Sequence, residues 1–335
     1  MDCPRNTIYG EPVMPNRLTN PLAWRLNRTR SSTRAGRKSY RHWLWLLPTL
    51  AFIAIFLVYP VIDTFILSFM NARSTAFVGP ENYIWAFTNG AARNALVTNV
   101  LWLTLFTFLA VGLGVLMAVL TGRVRYESVA KAMIFIPMAI SFVAAAVIWK
   151  FVYAYSPEGF TQIGLVNAAA TGVGLPPIAW LVEQKLAYTA QLLPAPLHTN
   201  NFALVVVGVW MWTGFAMVII SAGLKGIPTE VIEAARVDGA NEWQIFRRIT
   251  LPILAPTIAV VATTLIIQAL KKFDIVWVMT TGNYGTDVVA TFMYKQMFSY
   301  QNFGRAGALA VILLVAIVPI MLINIRRFRS EEQNR

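Results

Sequence analysis

Six stretches of this chain are apolar for about the 20 residues that a helix needs to cross the hydrocarbon of a bilayer. They fall at about 43–70, 95–120, 129–153, 201–222, 255–278 and 304–325. Lipid offers no partners to backbone N–H and C=O groups, so each stretch is expected as a helix that satisfies its own. Hydrophobic residues make up 57% of the 335 and charged residues only 13%, with a mean hydropathy of +0.58. That balance excludes a soluble globular enzyme of this length. The expected class is an all-α polytopic membrane protein with six transmembrane helices.

The formal net charge of +13 raises the question of nucleic acid. A membrane protein collects Lys and Arg on its cytoplasmic side, and here 20 of the 28 basic residues fall in four places: residues 1–41, the turn near Arg123, Arg125 and Lys131, residues 223–252, and the chain end after Arg326. The opposite loops hold Arg73, Arg93, Lys185, Lys295 and Arg305. This asymmetry predicts both termini in the cytoplasm of a plasma (inner) membrane protein, and no nucleic acid is needed to explain it. Residues 1–41 read as a basic disordered tail that could touch anionic headgroups, without the apolar core of a signal peptide. Residues 330–335 read as a short cytoplasmic tail, and 156–200 as an external loop with one or two short helices, Leu186–Leu193 being too brief to cross.

Residues 223–252 are too polar for their surroundings. Pro228 suits a helix start, Glu230 and Glu233 suit its positive end, Gly239 suits a left-handed stop, and Asn241 with Gln244 makes a capping box for a second helix that ends before Pro252. Trp243 and Phe246, three apart, share a face of that second helix. The spacing predicts a helix, a glycine elbow and another helix.

Within it, Glu233-Ala234-Ala235, Asp238-Gly239-Ala240 and the run from Ile249 to Pro252 resemble the "EAA" loop of permease subunits in binding-protein-dependent ABC importers. Phe77-Val78-Gly79-Pro80-Glu81-Asn82-Tyr83 resembles an external loop of the sugar-importer permeases, with Pro80 in place of their Leu. The resemblance covers about residues 43–329. It is to the MalF-like, sugar-type permeases, and the Lys271–Asp287 stretch points to their alpha-glucoside branch, although Gly282-Asn283-Tyr284-Gly285-Thr286 stands where relatives carry a Gly-Gly-Pro turn. It implies a MetI-like ABC importer permease fold over residues 42–329, with a cytoplasmic coupling helix. It also implies a complex with ATP-binding subunits, a second and different permease, and an external solute-binding protein. Under it, Glu233, Ala234, Ala235, Asp238, Gly239, Trp243 and Phe246 couple the chain to an ATPase. Glu233 would make a polar contact, Gly239 the turn, and Trp243 and Phe246 the anchors.

No phosphate-binding Gly-x-x-x-x-Gly-Lys-Ser/Thr loop occurs, so the ATPase is expected on another subunit. Cys3 is the only cysteine, and His42 and His198 are the only histidines. Neither a catalytic triad nor a zinc site can be assembled from them, and no cofactor is expected. Charges inside spans are functional candidates. Asp63, Lys150, Lys271, Lys272 and Asp274 qualify, although Lys150 can snorkel to an interface and a lysine paired with Asp274 could be structural. Trp210, Trp212 and Phe215 could stack on sugar rings or simply form an interfacial aromatic belt. With Lys271, Lys272 and Asp274 they are the candidate substrate pathway. The rival from another class is an ion-coupled secondary transporter using Asp63 and Asp274 as coupling acids. A membrane scaffold or receptor is a third.

Overall fold

The computed structural model describes residues 41–182 and 198–333, with side chains from 45 to 182 and from 198 to 322. The basic tail, Cys3 and the Leu186–Leu193 segment lie outside them. The chain divides into two units, Met1–Val58 and Tyr59–Arg335. In the first, helix α1 (Arg41–Ile53) contains Pro48 and runs into a π-helical turn, Ala54–Val58. The run Trp45–Leu67 is long and apolar enough to cross a membrane.

The second unit opens with α2 (Tyr59–Leu67). Then follow α3 (Glu81–Thr88), the run α4 (Gly90–Thr121), α5 (Glu127–Ala139), α6 (Phe142–Val152), α7 (Leu165–Gly172) and α8 (Thr199–Lys225). After these come α9 (Thr229–Val237), the run α10 (Glu242–Leu270), α11 (Asp274–Thr280), α12 (Val289–Tyr294) and α13 (Phe303–Gln333). Five helices are long and apolar enough to span, or six when the pair α5 and α6 counts as one.

α8 is the hub, with most of its residues buried. Its small residues let α4 approach closely, as expected where helices associate without a hydrophobic gradient between them. At Gly208 an added Cβ would lie 2.8 Å from the Trp102 ring. Trp102 and Phe106, both fully buried on α4, fill the space that this glycine leaves.

Two expected spans are broken. The 129–153 stretch is α5 and α6, bent by 98°. Pro137 weakens the ladder ahead of the bend, and the Ser141 side chain accepts from Ala144 N at 3.1 Å to start α6 afresh. The 255–278 stretch stops at Leu270 and resumes at Asp274.

The turn after α11 is firmly held even though its sequence departs from Gly-Gly-Pro. Asn200 donates to Tyr284 O at 2.8 Å, Asn94 donates to Gly285 O at 3.0 Å, and the Thr280 and Thr286 hydroxyls meet at 2.6 Å. The Phe77–Tyr83 motif also has a structural use. Asn82, buried, donates to Ser68 O and Met70 O, and the Tyr83 hydroxyl meets Ser68 Oγ at 2.6 Å, which fixes the exit of α2. In the 156–200 loop, buried Asn167 accepts from Ile178 N and Trp180 Nε1 and donates to Ala154 O, so that the segment around α7 is ordered by one side chain.

Candidate functional site

Residues 223–252 fold as helix and elbow. Pro228 caps α9, Glu230 lies in its first turn and Arg236 in its last, both suited to the helix dipole. Gly239 takes φ +81°, while its N–H reaches Arg236 O and the Ala240 N–H reaches Ala235 O, each at 3.0 Å. That pair of bonds is a Schellman close, which requires the left-handed residue that glycine supplies without strain. Nothing among the described residues lies within 4 Å of a Cβ built on Gly239, so the demand for glycine there comes from φ. The Asn241–Gln244 capping box is formed in both directions.

The second helix does not end before Pro252. It continues from Glu242 to Leu270 as α10, through a π-helical turn at Phe246–Thr250. Proline clashes with the carbonyl four residues back, and a widened turn just ahead of Pro252 relieves that clash, so the helix passes on into the span. The second helix and the span are therefore one continuous lever that begins at Glu242.

Glu233, Ala234 and Asp238 are exposed, and Ala235 and Phe246 are half-buried. Trp243 is 65% exposed and stacks on Phe246 with ring centroids 5.7 Å apart, and Val237 is 87% exposed. Four ion pairs among six charged residues, pairings missed in the sequence, tie this element down. Glu242 binds Arg123 at 3.1 Å and Arg236 at 3.0 Å, and Glu127 binds Lys225 at 2.9 Å and Lys131 at 2.5 Å. Behind them lies an apolar cleft of about 560 Å³, lined by Leu116, Leu224, Ile227, Ile232 and Ile245 among others. Exposed Trp243, stacked on half-buried Phe246, leaves an aromatic surface beside these ion pairs.

The pathway candidates separate. Lys271 and Asp274 are exposed, whereas Lys272 is buried. The pairing of a lysine with Asp274 is not made, since no ion pair joins them among the described residues. The helix break turns Lys272 inward, and its ammonium sits 5.3, 5.0 and 5.4 Å from the ring centroids of Trp102, Phe106 and Phe142. Three ring faces substitute for a carboxylate. Phe142, at the bend between α5 and α6, also stacks on Trp212, which meets Phe215 edge-on at 5.5 Å. Trp210 faces Trp149 instead, at 5.6 Å. The structure thus brings Trp212, Phe215 and Lys272 together through Phe142, and Lys271 and Asp274 line a small cavity with Lys272 and Phe142, while Trp210 is left out. Trp102, Phe106 and Phe142 were missed, and the only clue was a lysine in an apolar run that needed neighbours. Thr98 Oγ1, Asn99 Nδ2, Trp102 Nε1, Thr107 Oγ1 and Trp212 Nε1 are buried with no hydrogen-bond partner among the described residues.

A scan against known families matches residues 110–328 to the binding-protein-dependent transport system inner membrane component. The chain belongs to that family. The permease is 53% identical to the osmoprotective compounds uptake permease protein GgtC of Synechocystis sp., over 87% of this chain and 100% of GgtC. It is 46% identical to the alpha-glucoside transport system permease protein AglF of Rhizobium meliloti, over 88% of this chain and 84% of AglF. Its fold matches a chain in the crystal structure of a bacterial ABC transporter that imports the acidic polysaccharide alginate, with a TM-score of 0.71 at 23% identity. That match covers 87% of this chain and 96% of the other. The permease is thus an all-α, multi-pass membrane subunit of the ABC importer type.

Proposed function

We propose that this permease carries a sugar, of the alpha-glucoside or oligosaccharide class, delivered by an external solute-binding protein and driven by ATP hydrolysis on separate subunits. The observation that carries the reading is the elbow of residues 223–252: a capped, strutted helix pair whose Trp243 and Phe246 stack is exposed and continuous with a membrane span. Seated in an ATPase, Glu233, Ala234, Ala235, Asp238 and Gly239 shape the contact and the two rings anchor it. Rotation of the ATPase then moves α10 as a rigid body. The chain is a pore subunit and not itself an enzyme.

The alpha-glucoside class is supported by the similarity to AglF, and an osmoprotective compound by the similarity to GgtC. The charge asymmetry supports placing the elbow and both termini in the cytoplasm. A second, different permease completes the pore, and residues 42–329 form the permease domain. Trp212, Phe215 and Lys272, beside the unpartnered polar atoms of α4, are the part of the proposed path with most support. Trp210, Lys271 and Asp274 belong at its margins. Asp63 and Asp274, the coupling acids of the ion-driven alternative, are both exposed, and nothing here favours that alternative.

Reconstituted proteoliposomes test this. Uptake of radiolabelled maltose or trehalose is expected only with internal ATP and the external binding protein. Uptake that survives ATP removal and collapses with an ionophore contradicts it.

A further inference from the structure

At the helix ends opposite the elbow lies a second cavity, of about 370 Å³, bounded by Trp85, Asn89, Phe292, Gln296, Tyr300 and Arg305 among others. We propose that it is a binding site for a small carboxylate.

Four features of the cavity lead there. Arg305 has no carboxylate partner among the described residues, and its guanidinium lies 4.4 Å over the Trp85 ring, where the aromatic face orients it without neutralising it. Gln296 is 96% buried by its 4% relative exposure, yet its amide has no hydrogen-bond partner among the described residues. The amide is not sealed off but opens on the cavity, where an occupant can take the hydrogen bonds that the protein leaves free. The asparagine acceptors are already used: Asn89 Oδ1 accepts from Ala91 N and Ala92 N, and Asn302 Oδ1 accepts from Arg305 N. Their amide N–H groups are what remain. No acidic residue bounds the cavity.

The cavity therefore presents donors and one uncompensated cation, which suits an oxyanion; a planar guanidinium matches a carboxylate in particular. A neutral sugar suits it less. Its hydroxyls bring no charge to compensate Arg305, and the Trp85 ring is already engaged by Arg305 and runs parallel to Phe292 at 6.0 Å. The volume holds a whole small molecule and is more than the tip of an acidic side chain fills. An occupant would bridge α3 and α4 to α12 and α13.

The test uses the full chain in nanodiscs, titrated calorimetrically with D-galacturonate, L-lactate and D-galactose, the first and last differing by the carboxylate. At least one carboxylate is expected to bind saturably and galactose not to bind. Arg305→Gln and Gln296→Leu are each expected to weaken that binding on the order of tenfold or more, and should Arg305→Gln fail to fold, Gln296→Leu decides alone. Equal binding of galacturonate and galactose overturns the proposal, as does carboxylate binding unchanged by the variants, or no carboxylate binding. Weaker docking of an external binding protein in Arg305→Gln, with no free carboxylate bound, also overturns it.

Discussion

Arg123 donates to Glu242 at 3.1 Å across 119 positions of chain, tying the turn after α4 to the first residue of the lever. Both side chains are more than half exposed, so the pair is worth at most about 1 kcal/mol of stability. Glu242→Gln is therefore expected to leave the melting temperature nearly unchanged. It should speed hydrogen exchange across 229–245 and reduce ATP-driven uptake, because a loosened lever transmits less motion. Unaltered exchange and uptake would remove the strut from the account.

Lys272→Met separates structure from transport. Replacing a buried charge by an apolar side chain of similar length is often neutral or stabilising, so thermal unfolding should hold or rise while uptake falls. A variant that loses stability and keeps uptake per folded molecule shows the caged ammonium to be only structural.

At Gly239 the demand comes from φ alone. Asparagine visits the left-handed region with modest cost, whereas a β-branched residue is an outlier there, by about 1–2 kcal/mol. Gly239→Asn is expected to keep most uptake and Gly239→Val to lose it. Equal loss in both points to crowding by a docked partner, and equal retention removes the elbow from the mechanism.

Burial pushes the Asp287 carboxyl up, opposed by its hydrogen bond from Lys295 at 2.8 Å and by that from Thr291 at 2.9 Å. A carboxyl whose folded pKa lies above its unfolded one contributes stability that is full at low pH and lost as pH rises through the folded value. The melting temperature of the wild type relative to Asp287→Asn should therefore fall as pH climbs from about 4, the usual carboxylate range. A difference that grows with pH has the wrong sign for this account.

The sequence told most where local chemistry decides. Apolar length placed the spans, and the Gly239 and Asn241 signals placed the elbow, because caps and left-handed residues act within a few positions. It failed where distant residues meet. Nothing near Glu242 announces Arg123, and nothing near Lys272 announces Trp102, Phe106 and Phe142, since cages of that kind depend on how helices pack. Pro252 misled for a related reason: its usual effect is to end a helix, and the π-helical turn at Phe246–Thr250 absorbs it instead.

Val237, 87% exposed at the end of α9 beside the elbow, gives the most direct measurement. A Val237→Cys variant, in a chain whose Cys3 is replaced by serine, is treated with a membrane-impermeant maleimide in intact cells and in inside-out vesicles. The account expects no labelling in cells, labelling in vesicles from cells lacking the ATPase, and protection when the ATPase is present. Labelling in intact cells, or labelling in vesicles indifferent to the ATPase, contradicts it.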